Sequence, residues 1–164
     1  VAFDFHFMKL ATLLSADHMI LDMDAVEHWP AIVELVAHLV TTGQLPAEQE
    51  EEMLLAFKIR EESVSTGIGS GVAIPHAFSD DLEHVIAVFG RSEKGIDFEA
   101  LDNAPVHFIV LFVVPRKNYQ LHLQTLAAIA KMFTNPSVLR GLKAATTPQE
   151  ILAIFDSKPS RVSA

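Results

Sequence analysis

Thr66-Gly67-Ile68-Gly69-Ser70-Gly71-Val72-Ala73-Ile74-Pro75-His76 places three glycines at alternate positions ahead of a short apolar run that closes on proline and histidine. Glycine accepts backbone angles and close approaches denied to other residues, so such a loop can turn several N–H groups towards an anion. Pro75 has a fixed φ and biases Ile74 towards an extended backbone. Val72-Ala73-Ile74 therefore reads as a short buried strand that delivers His76 at its carboxyl end, the edge of an open α/β sheet where ligands gather. An imidazole held there beside a glycine-rich, hydroxyl-bearing loop can serve as a phosphoryl acceptor. No Gly-Lys-Ser/Thr follows the glycines, which excludes a P-loop. The glycines precede the strand instead of following it, which excludes a dinucleotide fingerprint. On spacing alone, a surface or internally satisfied histidine is the weightier reading of His76.

Composition sets the outer bounds. The chain has 164 residues, half of them apolar and a fifth charged, which fits one globular domain with a sizeable core and excludes disorder of its body. No apolar stretch reaches ~18 residues, the length that a spanning helix needs. The absence of cysteine removes disulfides, thiolate catalysis and cysteine-based zinc sites, and it is compatible with a cytoplasmic location. Twelve basic against twenty-one acidic residues leave a net charge of −9, which argues against a nucleic-acid footprint. Residues 1–7 carry no Lys or Arg and no cleavage pattern, and are read as an upstream extension or a foreign remnant. The domain is expected over residues 8–157, with a polar, frayed tail over 158–164.

Element signals follow in order. His18 to Asp22 is a short strand candidate. From Glu27 onward, Trp29, Ile32, Val33, Val36, Leu39 and Val40 recur at helical spacing, and Pro30 fixes the start near His28 because proline is tolerated only in the first turn. Gly43 ends that helix. Pro46 opens the next, whose glutamates match the positive end of the dipole and whose Met53, Leu54 and Phe57 turn inward to about Glu62. Strands are expected at Val72–Ile74, His84–Gly90 and Val106–Val114, the last being apolar enough for a central strand covered on both faces. Asn118 is expected to cap a helix running through Phe133, with Leu126, Ile129, Ala130 and Phe133 facing the core. Asn135-Pro136 and Thr147-Pro148-Gln149-Glu150 are further helix starts. The mixture predicts a single-domain α/β sandwich.

Arg60-Glu61, then Ser65 through His76, resembles the active-site signature of phosphotransferase-system enzyme IIA domains of the fructose, mannitol and nitrogen-regulatory class. The resemblance continues through Ile96-Asp97-Phe98-Glu99-Ala100-Leu101-Asp102, Pro105-Val106, Val114-Pro115 and His122-Leu123-Gln124-Thr125-Leu126, in the family's order. It implies a mixed central sheet flanked by helices. It also implies a histidine phosphocarrier that uses no cofactor. The donor would be HPr or its nitrogen-branch counterpart, and the acceptor an enzyme IIB or a regulatory target. Single-domain length and the N-terminal arrangement lean the expectation towards the regulatory branch. Self-association into a homodimer is left open, and no direct membrane insertion is expected. The rival from another class is a non-catalytic binding module on the same fold.

Residue roles follow from the same match. A neutral imidazole predominates near pH 7 for a pKa of ~6.5, so His76 has one nitrogen free to attack, and a carbonyl or carboxylate on the other would fix its tautomer. His122 lies on an apolar helix face, where a core histidine is the plain reading; the resemblance makes it a stabiliser of the phosphoryl group. Arg60, by itself a dipole-compensating cation, becomes by resemblance a phosphate clamp, for which a planar guanidinium is suited. Thr66 and Ser70 are candidate hydroxyl donors to phosphate or, equally, turn-capping groups. The remaining six of the eight histidines show no ligand spacing and HExxH is absent, so no metal site is expected. Phe78 and His107 depart from the residues common in relatives; Phe78 is read as a packing residue, with a partner contact as the alternative, and His107 leaves the strand reading intact without pointing to chemistry.

Overall fold

The computed structural model describes residues 10–63, 66–117 and 119–157. Its centre is β6 (Val106–Pro115), a ten-residue strand whose apolar side chains from Phe108 to Val114 alternate between two cores. Phe108, Val110, Phe112 and Val114 enter one core; Ile109, Leu111 and Val113 enter the other. Period-2 alternation with both faces covered is what a near-continuous apolar strand requires. The predicted central strand is therefore present, one residue longer than expected.

Five further strands complete a mixed sheet in the order β1-β5-β6-β3-β2, with β4 also pairing with β6. They are β1 (Met19–Ile20), β2 (Gly67–Gly69), β3 (Val72–Ala73), β4 (His76–Ser79) and β5 (Ile86–Ile96). Strand β1 runs parallel to β5, β5 antiparallel to β6, and β3 and β4 both parallel to β6. Strand β5 outruns the predicted His84–Gly90: its pairing shifts between Arg91 and Ile96, where Gly95 at φ +91° donates its N–H to Ser92 Oγ. A bulge of this kind breaks the alternation that sequence reading relies on.

Helices α2 (His28–Thr41) and α3 (Glu50–Ser63) cover one face; α1 (Leu10–Leu13), α4 (Tyr119–Met132), α5 (Pro136–Ala144) and α6 (Pro148–Ser157) cover the other. Helix α2 starts where Pro30 required and buries Ala31, Ile32, Leu35, Val36 and Leu39. Val33, counted with the apolar stripe, is instead exposed, because the buried stripe is centred on Leu35. Asn135 caps α5 through the Ser137 N–H, and Thr147 Oγ1 accepts the Glu150 N–H at the start of α6. The proposed Asn118 cap lies outside the described residues, as do the extension at 1–7 and the tail at 158–164.

Two readings around the opening motif are corrected. The glycine stretch is a tight hairpin, β2 turning into β3, and not a free loop. His76 does not end a strand but begins β4, because Ile74-Pro75 interrupts β3 and pairing resumes at His76 opposite Phe112. Proline lacks the N–H that an unbroken ladder would need, which explains the interruption.

Candidate functional site

His76 is half-buried, and its Nδ1 lies 3.0 Å from Ile74 O. Only an Nδ1–H can donate to a carbonyl, so this contact selects the tautomer whose lone pair is on Nε2. The expected tautomer-fixing carbonyl thus comes from two residues upstream. That carbonyl is itself placed by the interruption: Ile74 N–H donates to Thr66 O at 3.1 Å, and Phe112 N–H donates to Pro75 O at 2.9 Å. The two bonds grip the chain on either side of the Ile74–Pro75 peptide.

His76 and the helix that carries His122 lie on the same side of the sheet. His76 is paired with Phe112 and Phe78 with Val114, both residues of the core that α4 covers. Phe78 meets Tyr119, the first described residue of α4, ring edge to face at a centroid separation of 5.6 Å. His122 follows three residues on, along the same side of the helix. Burial lowers the pKa of its imidazole below the ordinary value, so it is neutral at physiological pH and offers one ring N–H. Arg60 lies on the other face, in the last turn of α3, which packs on β4.

Thr66 and Ser70 separate. Thr66 pairs with Ile74 and so lies at the His76 end, but its hydroxyl donates to Glu61 Oε1 at 2.5 Å and its N–H to Glu61 Oε2 at 3.2 Å. Ser70 occupies the β2–β3 turn with φ +58°. The register sets Val72 opposite Phe108 and His76 opposite Phe112, so the turn is about 13 Å further back along β6. Its N–H donates to Asp102 Oδ2 at 3.2 Å. The anion that this turn serves is a carboxylate of the chain itself.

Sequence reading missed the partner of Glu61. His28 Nε2 lies 2.8 Å from Glu61 Oε2, with side-chain exposures of 13% and 5%, and the His28 ring is 4.0 Å from that of Phe98. A signal existed: a carboxylate in the last turn of a helix opposes the macrodipole and needs donors from elsewhere. Among the described residues, no group of three or more His, Asp or Glu is arranged to hold a metal ion, and no helix is long and apolar enough to cross a membrane.

Comparison with known proteins identifies the family and the fold. Residues 12–158 match the family model described as phosphoenolpyruvate-dependent sugar phosphotransferase system, EIIA 2. A nitrogen regulatory protein of Escherichia coli is 35% identical over 125 residues, covering 75% of each chain. The fructose-specific EIIABC component of Bacillus subtilis is 31% identical over 149 residues, 91% of this chain but only 23% of that larger protein. The crystal structure of the nitrogen regulatory protein IIA-Ntr from Neisseria meningitidis superposes with a TM-score of 0.81 at 27% identity, covering 89% of this chain and 98% of that one.

Proposed function

Because the chain belongs to the EIIA 2 family of the phosphoenolpyruvate-dependent sugar phosphotransferase system, we propose that it carries a phosphoryl group on His76 Nε2. The observation that carries this reading is the Nδ1 contact with Ile74 O, which leaves the lone pair on the opposite nitrogen. The donor is a protein phosphohistidine of the HPr type or its nitrogen-branch counterpart. Nε2 attacks phosphorus in line, a new N–P bond forms, and the N–P bond to the donor imidazole breaks with its electron pair returning to that ring. His76 keeps its Nδ1–H on Ile74 O throughout. No proton need move, and the phosphoramidate formed retains its transfer potential.

The surrounding groups position and neutralise, which is most of what phosphoryl transfer asks of a protein. Arg60 supplies a guanidinium to two phosphoryl oxygens, and neutral His122 donates one ring N–H to a third. Thr66 contributes by holding the backbone, its hydroxyl being engaged with Glu61. Ser70 holds the hairpin turn. The group then passes to a cysteine of an enzyme IIB in a sugar system, or its presence is read by a regulatory target.

Incubation with a phosphorylated donor relay tests the reading. An acid-labile, base-stable phosphoryl group on this chain is the expected result, and chase onto an added IIB distinguishes transport from regulation. No label with either type of donor would favour a non-catalytic binding module.

A further inference from the structure

Glu61 is a buried carboxylate that the phosphocarrier chemistry does not use directly. It accepts three hydrogen bonds, from His28 Nε2–H, Thr66 N–H and Thr66 Oγ1–H. A buried ion pair often stabilises a fold no better than apolar residues of the same volume, so stability alone is a poor reason for this arrangement. Its position suggests a better one.

The chain of contacts runs from the pair into the site. Glu61 holds Thr66 by two donors; Thr66 O accepts the Ile74 N–H; Ile74 O accepts the His76 Nδ1–H. Pro75 has no N–H, so the backbone cannot add a ladder bond of its own between Ile74 and His76. The direction of the Ile74 carbonyl is therefore set by the Thr66 bond on one side and the bond from Phe112 to Pro75 on the other. Phe112 belongs to the rigid centre of the sheet, whereas Thr66 lies at the end of β2, the sheet's edge strand. The edge contact is the one that needs an anchor. Glu61 provides it, and His28, itself packed against the Phe98 ring, fixes the carboxylate.

We propose that Glu61, braced by His28, is a positioning residue that sets the tautomer and aim of His76 through Thr66 and Ile74. The proposal rests on the reading of His76 as the phosphoryl acceptor. Misplacement of a reacting group by ~1 Å can cost on the order of 100-fold in rate. Loss of the anchor should therefore act on the transfer step itself and leave donor affinity unchanged.

The test uses the full chain with nitrogen-15-labelled imidazoles, long-range nitrogen–proton NMR, and single-turnover transfer from a phosphorylated donor. The wild type is expected to hold His76 mainly as the Nδ1–H form. Glu61→Leu should populate both tautomers and lower the transfer rate at saturating donor by about 10- to 100-fold with the donor half-saturation unchanged. Glu61→Gln, which keeps an acceptor for Thr66, should recover most of both. If Glu61→Leu does not fold, His28→Leu and Thr66→Val carry the same expectation at a few-fold size. A folded Glu61→Leu with wild-type tautomer balance and wild-type rate overturns the proposal while the phosphocarrier reading stands. A wild type that takes no label defeats that reading by itself, and the tautomer measurement still decides whether Glu61 governs His76.

Discussion

Two histidines on neighbouring strands make the same local contact and differ in everything around it. His76 gives Nδ1 to Ile74 O at 3.0 Å; His107, near the start of β6, gives Nδ1 to Ser92 O at 2.8 Å. Both rings are half-buried, and both contacts select the tautomer with its lone pair on Nε2. His107 stands at the glycine-turn end of the sheet, where its N–H and that of Phe108 donate to Gly71 O and where Gly95 leaves room for its ring. It also borders a partly open cleft of about 360 Å³ with Asp22, Arg91, Glu93 and Lys143. Yet Arg91 there is a tie: it donates to the carbonyl oxygens of Leu21, Leu142 and Ala145, pinning the end of α5 to the sheet. At the other end, His76 begins a strand beside the termini of two helices, one carrying Arg60 and the other His122. A fixed tautomer is thus shared by both histidines; what differs is the presence, beside His76, of helix ends that carry Arg60 and His122.

That contrast is easiest to break at Arg60. Arg60→Ala should slow phosphoryl acceptance by about 2–4 kcal/mol of barrier, the size expected when a preorganised charge stabiliser is lost. Arg60→Lys should recover only part, because a point charge cannot grip two oxygens as a planar fork does. Rapid mixing with a phosphorylated donor reads both variants. His122→Ala should fall in the same range, with the label staying on His76; a normal rate in the folded variant would make His122 structural.

The glycine-turn end should respond in stability and not in transfer. Gly71 has φ +81°, so Gly71→Ala should cost about 1–2 kcal/mol, read as a lower urea midpoint, while the folded fraction transfers at the wild-type rate. A transfer defect there larger than the stability loss would bring the turn back into the site.

Why one end was legible and the other was misread can be traced to particular residues. Val106 to Pro115 could only be a two-faced central strand, and Pro30, Gly43, Asn135 and Glu150 marked helix boundaries through local backbone chemistry that tertiary contacts did not override. The hairpin at Gly67 to Ala73 looks in sequence like a phosphate-facing loop because positive φ and anion binding share the same residues. The acceptor that the turn uses, Asp102, is thirty-two positions away. The His28–Glu61 pair spans thirty-three positions and left only the misplaced helix-end carboxylate as a trace. Single-residue types announce geometry; partners distant in sequence do not.

The smallest expected effect is on pH dependence. Burial lowers the pKa of His122, so between that lowered value and the ordinary 6.5 the unfolded chain binds more protons than the folded one. The contribution of His122 to stability is therefore complete above pH 6.5 and is lost as pH falls through the lowered folded value. An NMR titration should place its midpoint below 6.5, and phosphorylation of His76 should move that midpoint upward by bringing a dianion alongside. A midpoint at or above 6.5 in the unphosphorylated chain would remove the neutral-donor role.

The most direct measurement locates the phosphoryl group. The wild type and His76→Ala are incubated with a phosphorylated HPr-type donor, the folded state of each is checked, and the labelled residue is identified by mass spectrometry under basic conditions. One phosphoryl group on His76 is expected in the wild type and none in the variant. Undiminished labelling of folded His76→Ala, or a wild-type label found on His122, would contradict this expectation.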